Sequence, residues 1–177
     1  MSRQVDLNDW GVTVPAFDSF VARWGKPQID LFADGENAKC AMFIAQRPLP
    51  GAAAVDALAV VWPAGIVYAC PPWALLGRLL RRLQGDTVEA IVVVPVWPQQ
   101  AWWPILAPDG IHADARVVDW VPLTRDDFAL GISGRPGFLV NHHWKFAALA
   151  LRWSSSPGPR PVFCLRRFYS RPCVCGL

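Results

Sequence analysis

The sequence predicts an α/β fold, a sheet covered on both faces. Three observations lead there. Apolar runs of strand length recur at 29–33, 66–69, 89–94 and 117–123. Helical or crossover segments separate them, the pattern of strands that pair within one sheet. The run 89–94 is apolar on both faces, as a central parallel strand must be.

The length of 177 residues allows one domain of ordinary size. With 53% apolar residues and a mean hydropathy of +0.24, the ordered part should be compact. Seventeen prolines rule out long uninterrupted helices. No apolar run reaches the length that spans a bilayer, and no charged-then-apolar leader opens the chain. A membrane partner and secretion are therefore not expected. Five cysteines without scaffold spacing suit a reducing, intracellular setting, cytoplasmic or nuclear.

Charge is unevenly placed. All fourteen acidic residues lie at or before Asp127, while the last fifty residues carry seven basic residues and no acid. Such a tail could contact nucleic acid. The plainer reading is a disordered or decayed extension, and the boundaries follow from it: 1–27 a junction segment with a short helix, 28–127 the α/β domain, 128–177 an irregular basic tail.

In chain order, Phe17, Phe20, Val21 and Trp24 fall at i, i+3, i+4 and i+7 and make one face of a helix over 15–24. Gly25 and Pro27 fit its stop. Residues 28–33 read as a strand entering the polar turn Asp34-Gly35-Glu36-Asn37. Residues 38–45 suggest a helix turn followed by a strand, ended by Pro48 and Pro50. Residues 55–62 fit either a helix turn or a loop with apolar anchors. Next come a strand at 66–69, the stop Pro71-Pro72, and a helix whose Leu75, Leu76, Leu79, Leu80 and Leu83 form a stripe. Arg78, Arg81 and Arg82 lie on its other faces. After the strand 89–94, residues 97–104 read as a loop or short helix, and 117–123 as a further strand.

In open α/β sheets, ligands sit at the carboxyl ends of the strands. Three stretches fall at such ends: Ala33-Asp34-Gly35, Cys70-Pro71-Pro72-Trp73 and Pro95-Val96-Trp97-Pro98. A double proline fixes backbone carbonyls there, and the adjacent Trp73 offers a face for a planar ring such as a nucleobase. The competing reading is a proline-bounded helix start with Trp73 in the core. The turn from Asp30 through Phe32, Ala33 and Asn37 could place a carboxylate on a ribose; otherwise it is a solvated turn with Asp34 or Asn37 capping. Asp56 is either a polar cofactor contact or a cap. Trp97, Trp102 and Trp103 could stack on bases, or belong to a satellite core. Cys164, Cys173, Cys175, His142 and His143 lack zinc spacing, so no metal is expected.

The ordered set Ile29-Asp30-Leu31-Phe32-Ala33, Asn37-Ala38-Lys39-Cys40, Asp56-Ala57-Leu58, Trp62, Tyr68-Ala69-Cys70-Pro71-Pro72-Trp73 and Val93-Val94-Pro95-Val96-Trp97-Pro98, with Trp102, carries a resemblance. It resembles the segment that follows the RNase H domain in polyproteins of DIRS-type (tyrosine-recombinase) retrotransposons. Ser2-Arg3, Asp9-Trp10 and Trp24-Gly25-Lys26-Pro27 resemble the junction leaving that RNase H domain. The same order is similar to phage-type DNA N6-adenine methyltransferases. The match spans about 2–123 and rests on order and spacing.

The resemblance implies a Rossmann-like, three-layer, methyltransferase-like sheet, expected to be incomplete. It implies S-adenosylmethionine as cofactor, with Asp30, Phe32, Ala33, Asn37 and Asp56 in the cofactor region. It also implies a catalytic turn at Cys70, Pro71, Pro72 and Trp73. The family's turn reads D/N/S-P-P-Y/F/W. Cys70 stands where Asp, Asn or Ser belongs, and a thiol is a weak hydrogen-bond partner. The cofactor loop lacks the family's glycine pair. The expectation is thus a degenerate accessory domain that binds nucleic acid or neighbouring retroelement polyprotein domains. The alternatives are an active S-adenosylmethionine-dependent DNA N6-adenine methyltransferase and a gene remnant without function.

Overall fold

A sheet of seven strands runs through the protein, and its order fixes where any site can lie. The computed structural model describes residues 10–130, 148–158 and 164–165. The strands of this sheet are β2 (Ile29–Asp30), β3 (Met42–Ala45), β4 (Ala54–Val55), β5 (Ile66–Ala69), β6 (Glu89–Pro95), β7 (Val117–Leu123) and β9 (Ala148–Trp153). They lie in the order β4-β3-β2-β5-β6-β9-β7. The first five are mutually parallel, and β9 runs antiparallel to both of its neighbours. A separate antiparallel ribbon joins β1 (Trp10–Val12) to β8 (Phe128–Leu130).

The helix expected over 15–24 is α1 (Val14–Trp24). Thr13 caps it, and Gly25 ends it at φ 93°, a conformation that glycine adopts without strain. Phe17 and Phe20 are buried against one sheet face, with Tyr68 and Cys70 of the β5 end, Ile91 and Val93 of β6, and Ala148 and Ala150 of β9. The opposite face holds α2 (Leu76–Gly85) and the short α3 (Trp103–Leu106). Leu76, Leu79, Leu80 and Leu83 have no exposed surface and share a cluster with Val67, Ala69, Val92 and Val94. Each such leucine contributes about 1.5–3 kcal/mol of burial. Alternation along β5, β6 and β9 assigns successive side chains to the two clusters, as a strand period of two requires.

Several expectations change. Strand β2 is shorter than 29–33. Residues 38–45 yield a strand but no helix, and 55–62 hold a turn after β4, with Trp62 buried and its Nε1 donating to the Ala57 carbonyl at 2.7 Å. No helix occurs between β2 and β3, β3 and β4, or β4 and β5. Among the described residues the sheet has seven strands, and the segments that link β2 through β5 carry no helical cover. The boundary at 128 also needs correction. Residues 128–130 and 148–153 are strands, and β9 lies inside the sheet between β6 and β7. Its apolar face pattern fills both cores, which explains why a segment of basic composition is ordered there. The 1–27 segment likewise is not a mere junction, because α1 covers the central strands. Among the described residues, no helix is long and apolar enough to cross a membrane.

Asp119 on β7 fastens the end of α1. Its carboxylate accepts from Arg23 Nε at 2.6 Å, Trp24 Nε1 at 2.7 Å and its neighbour Trp120 N at 2.9 Å. Arg23 and these donors hold its pKa down, to about 2. Asp119→Ala should lower stability by about 1–2 kcal/mol, discounted for partial exposure. The loss should read as a lower urea midpoint at unchanged slope.

Candidate functional site at the carboxyl ends of β2 and β5

Strands β2 and β5 are adjacent and parallel, with Asp30 in register with Tyr68. From β2 the chain turns to β3 on one side, and from β5 to β6 on the other. The sheet order therefore reverses between β2 and β5, and such a reversal opens a crevice beyond the strand ends. The stretch 30–37 and the turn 70–73 both leave the sheet at that point. Trp97 follows β6, the next strand.

Asp30 ends β2 with only 2% of its surface exposed. One carboxylate oxygen accepts from Phe32 N at 3.2 Å and the other from Lys39 N at 3.0 Å. Burial pushes its pKa up to about 6, against the pull of those two amides. The carboxylate thus closes the loop 31–39 from inside. Phe32 is half-buried against the α2-side core, whereas Ala33 is buried on the other face with Phe43 and Ala45. Asp34 accepts from the amides of Glu36 and Asn37, and Asn37 Oδ1 accepts from Asp34 N at 2.9 Å. This reciprocal pair builds the turn. Asp56 is exposed at the end of the edge strand β4, with φ 57° and its side chain accepting from Leu58 N at 3.0 Å. Strand β3 separates it from Asp30, so the fold does not bring these two carboxylates together.

Cys70 is buried at 8% exposure on the α1 side of the sheet. Its thiol is pushed up to about 12, first by burial and then by the Asp30 charge. It lies against the Tyr68 hydroxyl and the Val12 amide of β1. Tyr68 is itself 1% exposed, edge-on to Phe17 at 5.0 Å, and its hydroxyl makes no hydrogen bond of normal geometry among the described residues. Cys40, half-buried, also feels Asp30. Pro71 is buried and Pro72 half-buried; Pro72 caps the single turn Trp73–Leu75 that leads into α2. Trp73 is half-buried with its ring perpendicular to Trp97, centroids 4.3 Å apart. Trp102 and Trp103 are buried in the α2-side core.

Asp30, Cys70 and the Pro71-Pro72-Trp73 turn therefore converge, with Trp97 beside Trp73. Sequence reading missed Tyr68 and Val12 as the surroundings of the thiol. Tyr68 carried a signal, since it stands two residues before Cys70 on a strand and shares its face; Val12 arrives from a distant ribbon and carried none. Among the described residues, no group of three His, Cys, Asp or Glu side chains could hold a metal ion. His142, His143, Cys173 and Cys175 lie outside the described residues, and Cys164 is half-buried, its backbone paired antiparallel with that of His112.

The residues assigned to S-adenosylmethionine do not fit it here. The Asp30 carboxylate is buried and already accepts two backbone amides, which leaves no accessible oxygen for a ribose. Asn37 is committed to its own turn, and Asp56 lies apart. Set beside known proteins, the chain matches no family model and no curated protein.

Proposed function

We propose that this chain is a methyltransferase-like domain of retroelement origin that binds nucleic acid as an accessory module and does not transfer methyl groups. The architecture supports the first part. Numbered within the large sheet alone, the strands run 3-2-1-4-5-7-6. That is a doubly wound order with one antiparallel strand inserted before the last position, compatible with the Rossmann-like sheet that the resemblance implies. The order of motifs from Asp30 to Trp102 supports the retroelement origin. An intracellular setting and neighbouring polyprotein domains as partners follow from that origin.

The observation that carries the loss of catalysis is the surroundings of Cys70. Amino-group chemistry needs an acceptor aimed at the substrate nitrogen. Here the side chain at that position is a protonated thiol, turned into the α1-side core and packed against Tyr68 and Val12. The cofactor side fails separately, at Asp30.

Titration calorimetry with S-adenosylmethionine is expected to give no binding heat at millimolar ligand, an affinity weaker than about −4 kcal/mol. Incubation with duplex DNA and the same cofactor should leave adenine unmethylated. A dissociation constant well below millimolar, or N6-methyladenine formed by the wild-type chain, overturns the reading in favour of the active enzyme.

A further inference from the structure

We infer that the outer face of α2 contacts the phosphate backbone of nucleic acid through Arg78 and Arg81; the inference rests on the nucleic-acid-binding part of the function proposed above. Most arginines of the described residues are already engaged. Arg23 pairs with Asp119, Arg116 with Asp114 and Arg152 with Glu89. Arg82 donates to the carbonyls of Ala57 and Val60 and lies over the Trp62 ring. Arg78 and Arg81 differ: both are exposed, and neither makes a hydrogen bond or ion pair among the described residues. Three positions apart on one helix, they are neighbours, about 5–6 Å between Cβ atoms. Both can reach adjacent phosphates of one strand.

The helix and the chain leading into it carry no competing acid. Between Asp56 and Asp86 the sequence contains no Asp or Glu, and Asp86 itself pairs with Arg82. The helix starts directly after the Trp73–Leu75 turn, which places Arg78 in the turn nearest the strand ends. On its flank, Gly77 packs against Trp102, whose loop exposes Gln99 and Gln100, neutral groups able to contact phosphate or sugar.

The same face argues against a membrane surface. A helix that lies on lipid pairs its basic side with an apolar side free to insert. The apolar side of α2 is wholly used: Leu76, Leu79, Leu80 and Leu83 have no exposed surface.

The test is fluorescence anisotropy of a labelled duplex oligonucleotide titrated with the full chain at several salt concentrations. The wild type should bind with a steep salt dependence. Arg78→Gln/Arg81→Gln should weaken binding at low salt and reduce the log–log salt slope by roughly 2, one per lost phosphate contact. Arg47→Gln, also exposed but on the loop after β3, should leave the slope unchanged. Circular dichroism of the double variant should match the wild type, because both side chains point to solvent. Wild-type binding with an unaltered slope in the double variant overturns this inference and leaves the nucleic-acid reading standing. Absence of wild-type binding at low salt overturns both. Binding to phosphatidylserine vesicles but not to DNA, lost in the double variant, would replace the nucleic acid by a lipid surface and overturn the inference.

Discussion

Replacing Trp153 by alanine is expected to cost about 3–5 kcal/mol of folding free energy, a large share of the roughly 5–15 kcal/mol that holds a domain together. Trp153 ends β9, has no exposed surface, and stands in register with Ala90 of β6 and Val117 of β7. It therefore fills the core at the line where the parallel part of the sheet meets the antiparallel part. Phenylalanine should be far milder. The indole N–H is buried with no hydrogen-bond partner among the described residues. Its removal relieves an unsatisfied donor, worth about 1–3 kcal/mol, and offsets part of the lost volume. Urea unfolding followed by circular dichroism gives the comparison: a low midpoint for Trp153→Ala and one near wild type for Trp153→Phe. If Trp153→Ala unfolds at the wild-type midpoint, residues 148–153 do not form the inner strand.

That strand is also the clearest case of what sequence reading could not reach. The segment around β9 carries no acid and sits among prolines and arginines, so composition assigned it to a decayed tail. Its alternation, with Leu149, Leu151 and Trp153 on one face and Ala148 and Ala150 on the other, is short. It becomes meaningful only once β6 and β7 supply partners on both sides. By contrast, 66–97 was legible because its signals agree. The β5 and β6 runs, the proline stop and the leucine stripe of α2 each specify the same unit, and such agreement across levels is what a well-specified sequence shows. The two-residue strands β2 and β4 have no period of their own and exist through parallel pairing with β3 and its neighbours. For the site, the turn 70–73 was readable from its prolines. The engagement of Asp30 was not, because the amide of Lys39 comes from nine residues along a loop without periodic pattern.

Asp30 gives the protein a pH dependence opposite to that of its paired carboxylates. Its folded pKa is about 6, above the ordinary value of 3.8, because burial disfavours the charged form. Between those two values the native state binds more protons at this site than the unfolded state does. Stability from this group is therefore fully present below about pH 4, falls as pH rises through 4–6, and stays low above. The difference of about two pH units corresponds to roughly 3 kcal/mol. Asp119 acts in the other direction and lower down. Its pKa is depressed to about 2, so its contribution is present above the ordinary value and lost as pH falls toward 2. Asp30→Asn separates the two effects. Asparagine carries no charge and keeps one carbonyl acceptor, so either the amide of Phe32 or that of Lys39 loses its partner. At pH 4 the variant should therefore be the less stable, by about 1–3 kcal/mol. Between pH 4 and pH 7 the difference should move in the variant's favour by up to roughly 3 kcal/mol. Taking the difference between the two proteins at each pH cancels Asp119 and every other carboxylate. Two stability curves that run parallel from pH 4 to 7 would mean that Asp30 is not buried as a charge. A rising difference would mean that this strand end holds a carboxylate whose ionisation opposes folding. Among charged side chains, Asp30 is the one buried in the described residues, and it stands at the point where the sheet order reverses. A charge kept buried at that point works against the fold's own stability.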